Sequence, residues 1–240
     1  MTQKTEGIVL KTIKYGETSI IVSVLTVQFG LQNYIINGVR TSGRAGSKYI
    51  LYQPCSILDL DVYNNELKNL KRIKDASLTV PFQNIFQSVF ITGIATFIIE
   101  VVSKAIKESE KNEDLFEFLK YTLLYLDKCS QETSSNVAIF FMLEFSDYLG
   151  FKIEKNEGNI FDLREGKFSF SLPEHKNYLD EEESEIIRQF LEADDISYLR
   201  KIKLSGKKRS LILEKLCKFY EIHIAGFSEP KSLKVLTQLV

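Results

Sequence analysis

The hydrophobic period of this sequence changes near residue 80, and that change is the strongest constraint on its fold. Before it, β-branched and aromatic residues occur in short runs separated by turn residues, which is typical of strands. After Pro81 the apolar residues recur at three- and four-residue spacing, as they do in helices. We therefore predict an α+β chain with two domains, residues 1–80 and residues 81–240.

The first domain is predicted to be a small five-stranded barrel. The turns between its apolar runs contain Gly or Asn, which tolerate the backbone angles that tight turns need. In the fourth run Leu58, Leu60 and Val62 alternate with acidic residues, as expected for a strand with one buried face. The predicted strands are residues 7–13, 18–26, 31–39, 56–62 and 67–73.

The second domain is predicted to be mainly α-helical, with a small β-hairpin inserted near residues 151–172. Apolar and polar residues alternate from Lys167 to Leu172, and residues 164–166 form the predicted turn. Helices are expected at residues 84–107, from a cap at Asn112, at 134–149 ending at Gly150, from a cap at Asp180 to about Ala193, at 207–224, and at the C-terminus with Pro230 in the first turn.

The residues that carry chemistry argue against an enzyme, a metalloprotein and a membrane protein. His175 and His223 are far apart and match no triad or metal spacing, and no complete phosphate-loop motif occurs. Three widely spaced cysteines indicate a reducing compartment. Residues 76–99 lack charge but contain too many polar side chains to face lipid. With no visible signal peptide, we predict a cytoplasmic, non-enzymatic protein without metal, cofactor, small-molecule substrate or membrane contact.

The near-neutral net charge of -1 hides an asymmetry along the chain. Residues 1–80 carry ten Lys and Arg against six Asp and Glu, a net charge of +4, which leaves -5 for the remainder. An acidic block at 174–195 is followed by a basic block at 200–218. Such bipolar surfaces can steer anionic partners, but a charge run is also typical of an ordinary solvated face, so both interpretations remain open.

A small barrel with excess Lys and Arg suits single-stranded nucleic acid, because cations follow the phosphates while aromatic rings stack on bases. Tyr15, Tyr49 and Tyr52 lie close to cations in the sequence. The alternative is that these tyrosines cap the barrel core and that the cations are ordinary solvated loop residues. The cations concerned are Lys11, Lys14, Arg40, Arg44 and Lys48.

Short motifs at both ends of the chain carry a resemblance to a known family. They are residues 6–11, 15–18, 25–26 with Gly30, 37–40, 219–227 and 231–233. Each motif alone is loose, but their order and separation make the whole chain similar to the bacterial recombination mediator family RecO.

This resemblance implies an OB-fold first domain and a helical second domain. Members of the family bind single- and double-stranded DNA, anneal complementary strands and act with a RecR partner. They remodel DNA coated with single-strand-binding protein so that a RecA recombinase can load, without hydrolysing nucleotide, which implies a cytoplasmic, nucleoid-associated protein. DNA contact would fall on Lys11, Lys14, Arg40, Arg44 and Lys48, with Lys71, Arg72 and Lys74 as weaker additions.

The resemblance also implies that the helical domain captures the acidic, hydrophobic C-terminal tail of single-strand-binding protein. In residues 207–224 cations alternate with apolar residues, and a groove with an apolar floor and a cationic rim suits a peptide that ends in a carboxylate. The alternative is that the apolar residues only pack the helices together. The groove residues would be Lys207, Lys208, Arg209, Leu211, Lys215, Leu216, Lys218, Phe219 and Tyr220.

This sequence differs in one feature from many members of the family, which carry four zinc-binding cysteines after the position equivalent to Gly150. Residues 151–174 contain no cysteine, so the chain resembles a metal-free branch in which the predicted hairpin replaces the zinc module. Two other functions remain open: a generic OB-fold RNA-binding protein, and a structural adaptor that acts through its helical domain.

Overall fold

The computed structural model describes residues 2–40, 46–64, 69–107, 110–193 and 195–239. The chain divides into two compact units, Met1–Gln87 with Ile99–Asp127, and Ser88–Ile98 with Lys128–Val240. The first helix after the barrel therefore contributes residues to both units.

The first unit contains a closed five-stranded barrel, as predicted. The strand order is β1-β2-β3-β5-β4, and β4 pairs back with β1. All of the neighbouring pairs are antiparallel except β3 with β5. This is the arrangement of an OB fold, which confirms the predicted fold class. The strands are β1 (Gln3–Tyr15), β2 (Ser19–Thr26), β3 (Gly30–Ile36), β4 (Ile57–Tyr63) and β5 (Lys71–Leu78).

The fifth strand begins and ends later than its sequence predicted. Residues 74–78 contain an Asp, an Ala and a Ser, which have low strand propensity. They are nevertheless extended because they pair with β4, where Leu78 lies opposite Leu58 and Ser77 opposite Asp59. Tertiary pairing therefore overrides local propensity in this strand.

The first strand is 13 residues long because it pairs with β4 near its start and with β2 farther along. Gly7 lies at the crossing, opposite both Thr26 and Leu58. A Cβ at this position would lie 2.6 Å from Cγ1 of Val24 and 3.0 Å from Cδ1 of Leu60. The barrel can therefore close tightly here only with glycine.

The barrel interior is filled by β-branched, leucine and tyrosine side chains. The first 3₁₀ helix (Gly46–Tyr52) lies against β1, where the carbonyl of Tyr52 accepts a 2.5 Å hydrogen bond from Oγ1 of Thr12. Tyr52 and Val39 thus complete the core at one end of the barrel. The buried core residues are Val9, Ile20, Val22, Val24, Tyr34, Val39, Tyr52, Leu58, Leu60 and Val62.

Helices predominate after the barrel, and several ends agree with the predicted caps. Oδ1 of Asn112 accepts from the backbone N–H of Leu115 at 2.9 Å. Asp180 and Glu183 form a reciprocal capping box. Gly150 ends its helix with a φ of 84°. The helices are α1 (Val89–Ala105), α2 (Glu113–Lys128), α3 (Gln131–Tyr148), α4 (Glu181–Leu191), the second 3₁₀ helix (Ile196–Lys201), α5 (Gly206–His223) and α6 (Leu233–Leu239).

Two helices begin later than predicted. The carboxylate of Asp127 accepts hydrogen bonds from the backbone N–H groups of residues 83, 84 and 85 at 2.7–3.1 Å. These residues form a loop, and α1 begins at Val89 instead of residue 84. At the C-terminus, the carbonyl of Pro230 accepts from the N–H of Leu233 in a turn, so Pro230 precedes α6 instead of lying in its first turn.

The predicted hairpin is present, formed by β6 (Ile160–Asp162) and β7 (Lys167–Ser169). A third strand, β8 (Tyr178–Leu179), pairs with the other edge of β6 and makes a three-stranded sheet. Its two residues are too few to show a period in the sequence. Across the described ranges, no helix is long and apolar enough to cross a membrane.

Candidate nucleic-acid interface

The cross-strand register of the barrel places a row of apolar, aromatic and cationic side chains on its outer surface. Ile13 of β1 lies opposite Ile21 of β2, which lies opposite Ile35 of β3. Ile35 in turn lies opposite Arg72 of β5, and Arg72 opposite Tyr63 of β4. With two neighbours on β1, this row forms a band across all five strands of the closed barrel, which we call the basic face: Lys11, Ile13, Tyr15, Ile21, Ile35, Tyr63 and Arg72.

The basic face exposes groups that suit a single strand of nucleic acid. Ile13, Tyr15 and Tyr63 are 45%, 51% and 47% exposed, respectively. Lys11 and Arg72 are also exposed. Aromatic rings can stack on bases of any identity while cations neutralise the phosphates, so this combination favours binding without sequence preference.

A groove opens beside this face where β3 and β5 separate. Only two residue pairs join these strands, Tyr34 with Lys71 and Ile35 with Arg72. Past them, β3, β5 and the first 3₁₀ helix line a groove of about 290 Å³ whose walls include Lys48 and Arg72. Lys74 and Asp75 line the same groove, so the fold brings three predicted DNA-binding residues and one carboxylate together there.

Arg40 lies against the turn between β1 and β2. Its Nη1 donates to the carbonyl of Gly16 at 3.1 Å, and its backbone N–H donates to the carbonyl of Thr18 at 3.0 Å. The adjacent Lys14 is exposed near the end of β1. Arg40 is therefore held at this turn and Lys14 lies in the strand that leads into it, whereas the predicted residue Arg44 lies outside the described residues.

Two of the predicted weaker contacts are engaged by other side chains of the protein. Lys71 is 8% exposed, and its Nζ donates to Oδ1 of Asn64 at 2.5 Å. Lys74 forms a 3.0 Å ion pair with Asp61, and their hydrogen bond lowers the pKa of Asp61 and raises that of Lys74. Lys71 is therefore buried, and Lys74, which lines the same groove as Lys48 and Arg72, is paired with a carboxylate.

Of the tyrosines considered in the sequence, Tyr52 belongs to the core and not to the surface. It is 5% exposed, and burial, followed by the charge of Asp75, raises its pKa to about 12. It cannot stack on a base without leaving the barrel. Tyr15 and Tyr49 remain accessible, with Tyr49 36% exposed.

Another side of the barrel carries carboxylates. Asp61 lies opposite both Lys4 and Asp75, and Glu6 lies opposite Asp59. We call this surface the acidic face: Lys4, Glu6, Asp59, Asp61, Lys74 and Asp75. Its four carboxylates outnumber its two lysines, so it repels a polyanion.

One residue of the acidic face forms an ion pair with a helix of the first unit. Nζ of Lys120 on α2 lies 2.6 Å from Oε2 of Glu6. The other carboxylate oxygen, Oε1, is buried and has no hydrogen-bond partner among the described residues. The negative charge of the Glu6 carboxylate is therefore compensated mainly by this one ion pair.

The predicted tail-binding groove on α5 requires a correction. Leu216, Phe219 and Tyr220 are fully buried, and they pack the core of the second unit instead of forming an exposed floor. The hydroxyl of Tyr220 donates to the carbonyl of Met142 on α3 at 2.7 Å. Arg209 is 8% exposed, and burial lowers its pKa, so it does not lie on a cationic rim.

The other predicted groove residues lie at the surface of α5, but several lysines already contact carboxylates. Lys208 pairs with Glu182, and Lys215 lies 3.7 Å from Glu183. Lys218 pairs with Glu221 at 3.0 Å. The acidic block of the sequence thus neutralises part of the basic block. Lys207 is exposed, and Leu211 is 39% exposed.

Sequence reasoning missed the apolar part of the basic face. Ile13 and Tyr15 share the strand period of Lys11, so all three point to the same side of β1. That alternation was a usable signal within one strand. The pairing with Ile21, Ile35 and Tyr63 could not be read locally, because it depends on the register of separate strands.

Two family models cover almost the whole chain: Recombination protein O N terminal over residues 1–82 and Recombination protein O C terminal over residues 87–234. DNA repair protein RecO of Flavobacterium johnsoniae is 33% identical over 242 residues, which cover 100% of this chain and 99% of the relative. The protein of the same name from Phocaeicola vulgatus is 31% identical with the same coverage. The chain therefore belongs to the RecO family.

Proposed function

We propose that this chain is a non-enzymatic DNA-repair and recombination mediator that binds and anneals single-stranded DNA. In this role it helps to load a RecA recombinase onto DNA coated with single-strand-binding protein. The observation that carries the proposal is the basic face, which lies on the barrel of a chain whose relatives over its full length are DNA repair proteins.

The basic face supplies both kinds of contact that a single strand needs. Lys11 and Arg72, together with Lys48 in the groove, neutralise phosphates. Tyr15 and Tyr63 stack on bases. Because neither contact reads the edge of a base, binding is nearly independent of sequence. Double-stranded DNA presents the same phosphates but keeps its bases stacked, so it binds through the cations alone.

Annealing follows from the same charge neutralisation. Two complementary strands repel each other through their phosphates, and cations on a protein surface reduce that repulsion. Neither step consumes nucleotide. RecR is the proposed partner in loading.

The tail of single-strand-binding protein is the proposed second partner, held by the exposed stripe of α5. Lys207, Leu211 and Lys218 recur at helical spacing and are all exposed. An apolar side chain between two cations suits a peptide that is both acidic and hydrophobic. The buried residues of α5 are not part of this proposed peptide-binding site.

The test is a titration of the full-length protein with fluorescent single-stranded DNA over a range of salt concentrations. About three phosphate contacts give a slope near -2 in the log–log plot of affinity against salt, since each contributes about 0.7. A slope near zero contradicts phosphate binding, and complete absence of binding favours the adaptor.

Annealing and peptide binding separate the remaining alternatives. The mediator accelerates annealing of complementary DNA strands and binds a tail peptide, and Lys207→Glu weakens the peptide complex. A generic RNA-binding protein prefers an RNA oligonucleotide, does not anneal DNA and ignores the peptide. That outcome would reject the mediator.

A further inference from the structure

A cluster of cations outside the barrel lies in the second unit, around the second 3₁₀ helix and the start of α5. Residues 196–208 contain five Lys and Arg residues and no Asp or Glu. We call these residues the cationic segment. Its cations are Arg200, Lys201, Lys203, Lys207 and Lys208.

Two buried polar side chains donate hydrogen bonds to the backbone of the cationic segment. The side-chain amide of Asn136 on α3 donates to the carbonyls of Leu199 and Ile202 at 3.2 and 2.9 Å. Arg209 donates from Nε to Oδ1 of Asn136 at 3.2 Å and from Nη2 to the carbonyl of Leu204 at 2.8 Å. Asn136 and Arg209 are 1% and 8% exposed.

This arrangement explains why an arginine is buried here. The carbonyls of Ile202 and Leu204 follow the 3₁₀ helix and accept from Asn136 and Arg209, and Asn136 also donates to the Leu199 carbonyl, which accepts from the backbone N–H of Ile202 as well. The consequence is a backbone fixed in one conformation, which reduces the entropy lost when its surface binds a ligand. Arg209 is thus a positioning residue for its neighbours.

The side chains of the segment divide into a buried and an exposed set. Ile196, Leu199 and Ile202 are buried. The five cations are exposed, as is Tyr198 at 38%. Nζ of Lys201 lies 4.4 Å from the centroid of the Tyr198 ring, as expected for neighbours three residues apart in a 3₁₀ helix.

Only part of this charge is compensated within the protein. Lys203 contacts Glu132, and Lys208 contacts Glu182. In the described ranges, Arg200, Lys201 and Lys207 form no ion pair with a carboxylate. Two exposed cations on the 3₁₀ helix, one of them against the Tyr198 ring, repeat in the second unit the kinds of group seen on the basic face.

We propose that the second 3₁₀ helix in the cationic segment is a second contact surface for single-stranded nucleic acid, with phosphates on Arg200 and Lys201 and a base on Tyr198. The ligand class follows from what is exposed: the 3₁₀ helix offers cations and a ring, while its aliphatic side chains are buried. This inference rests on the proposed function and extends it, because annealing requires contact with two strands.

The experiment compares two charge reversals in the full-length protein. The test variant is Arg200→Glu with Lys201→Glu. The matched control is Lys176→Glu with Lys234→Glu, which makes the same change in charge at exposed positions of the same unit. Circular dichroism verifies that both variants fold. Binding of a single strand and annealing of two complementary strands are then measured across salt.

We expect the test variant to anneal at least about tenfold more slowly than the control and its salt slope to fall by about 1.4, the value for two lost phosphate contacts. Tyr198→Ala weakens binding without changing the slope, because it removes stacking and not charge. Equal annealing and equal slopes for test and control overturn the proposal.

The failures of the two proposals are distinguishable. If a reversal on the basic face weakens DNA binding while the Arg200 and Lys201 reversal does not, only the second surface is refuted. If the wild-type protein binds no DNA, the proposed function fails as well. Loss of acidic-peptide binding with unchanged DNA binding in the Arg200 and Lys201 reversal would assign these two residues to a protein partner and overturn the inference.

Discussion

The two faces of the barrel are built on the same strands and differ in what they can bind. Lys4 and Lys11 both lie on β1 and are both exposed, yet Lys4 lies opposite Asp61 whereas Lys11 lies opposite Ser23. The strand that pairs with β1 changes along its length, so the electrostatic surroundings change with it. The net positive charge of the first 80 residues therefore does not indicate where on the barrel a polyanion can bind.

The largest expected effect comes from reversing charge on one face at a time. Lys11→Glu with Arg72→Glu should weaken single-stranded DNA binding about 100-fold at low salt, because two phosphate contacts become repulsive. Lys4→Glu on the acidic face, combined with Lys176→Glu at another exposed position to match the charge change, should cost less than about threefold. Fluorescence titration measures both. Equal losses would show that binding is not confined to the basic face.

Substitutions on the acidic face should change the stability of the protein more than its affinity for DNA. Lys120→Met removes the partner of Glu6, whose side chain is only 21% exposed, and should lower the free energy of unfolding by about 2 kcal/mol. Urea denaturation at neutral pH measures this loss. Adding Glu6→Gln should recover part of it, since the second change removes the unpaired charge. An unaltered unfolding midpoint in the single variant would contradict the role given to this ion pair.

Stacking on the basic face should be separable from charge. Tyr63→Ala should weaken single-stranded DNA binding about tenfold, within the range for loss of one stacked base, and leave the salt slope unchanged. Tyr63→Phe is the matched control, because it keeps the ring and should bind like the wild type. A steeper or shallower salt slope in the alanine variant would mean that Tyr63 acts through the charges around it.

The smallest expected effect is a pKa shift on the acidic face. The hydrogen bond from Lys74 holds the pKa of Asp61 below its ordinary value, so Lys74→Gln should raise it. Because the folded pKa is lower than the unfolded one, this stabilisation is present above the unfolded pKa of about 3.9 and is lost as pH falls through the folded pKa. NMR titration of the Asp61 carboxyl measures the shift, and Arg72→Gln on the basic face should leave it unchanged.

Much of the fold was predictable because it follows from local periodicity. Strand alternation located the barrel, and the caps at Asn112 and Asp180 located two helix starts. The late start of α1 was not predictable, because it depends on the carboxylate of Asp127, more than 40 residues away. Likewise β5 was misplaced because its final residues are extended only through their pairing with β4.

The candidate sites show the same division between local and distant causes. Arg209 looks like one more cation in a basic run, and only its hydrogen bonds to Asn136 and to the Leu204 carbonyl show that it is structural. Leu216 and Phe219 were weighed as a groove floor, but they are buried in the core. Hydrophobic spacing identifies a buried side of a helix without revealing whether protein or ligand covers it.

By itself, the sequence determined the order of strands and helices, the positive charge of the barrel region and the membership of a family, since each is written in residues close together or in motifs of fixed order. The tertiary structure alone decided which cations are available to a ligand. Lys71 points into the barrel, Lys74 meets Asp61, and Arg72 remains exposed. The physical reason is that side-chain availability depends on burial and on the nearest opposite charge, and both are set by strands and helices that are distant in sequence.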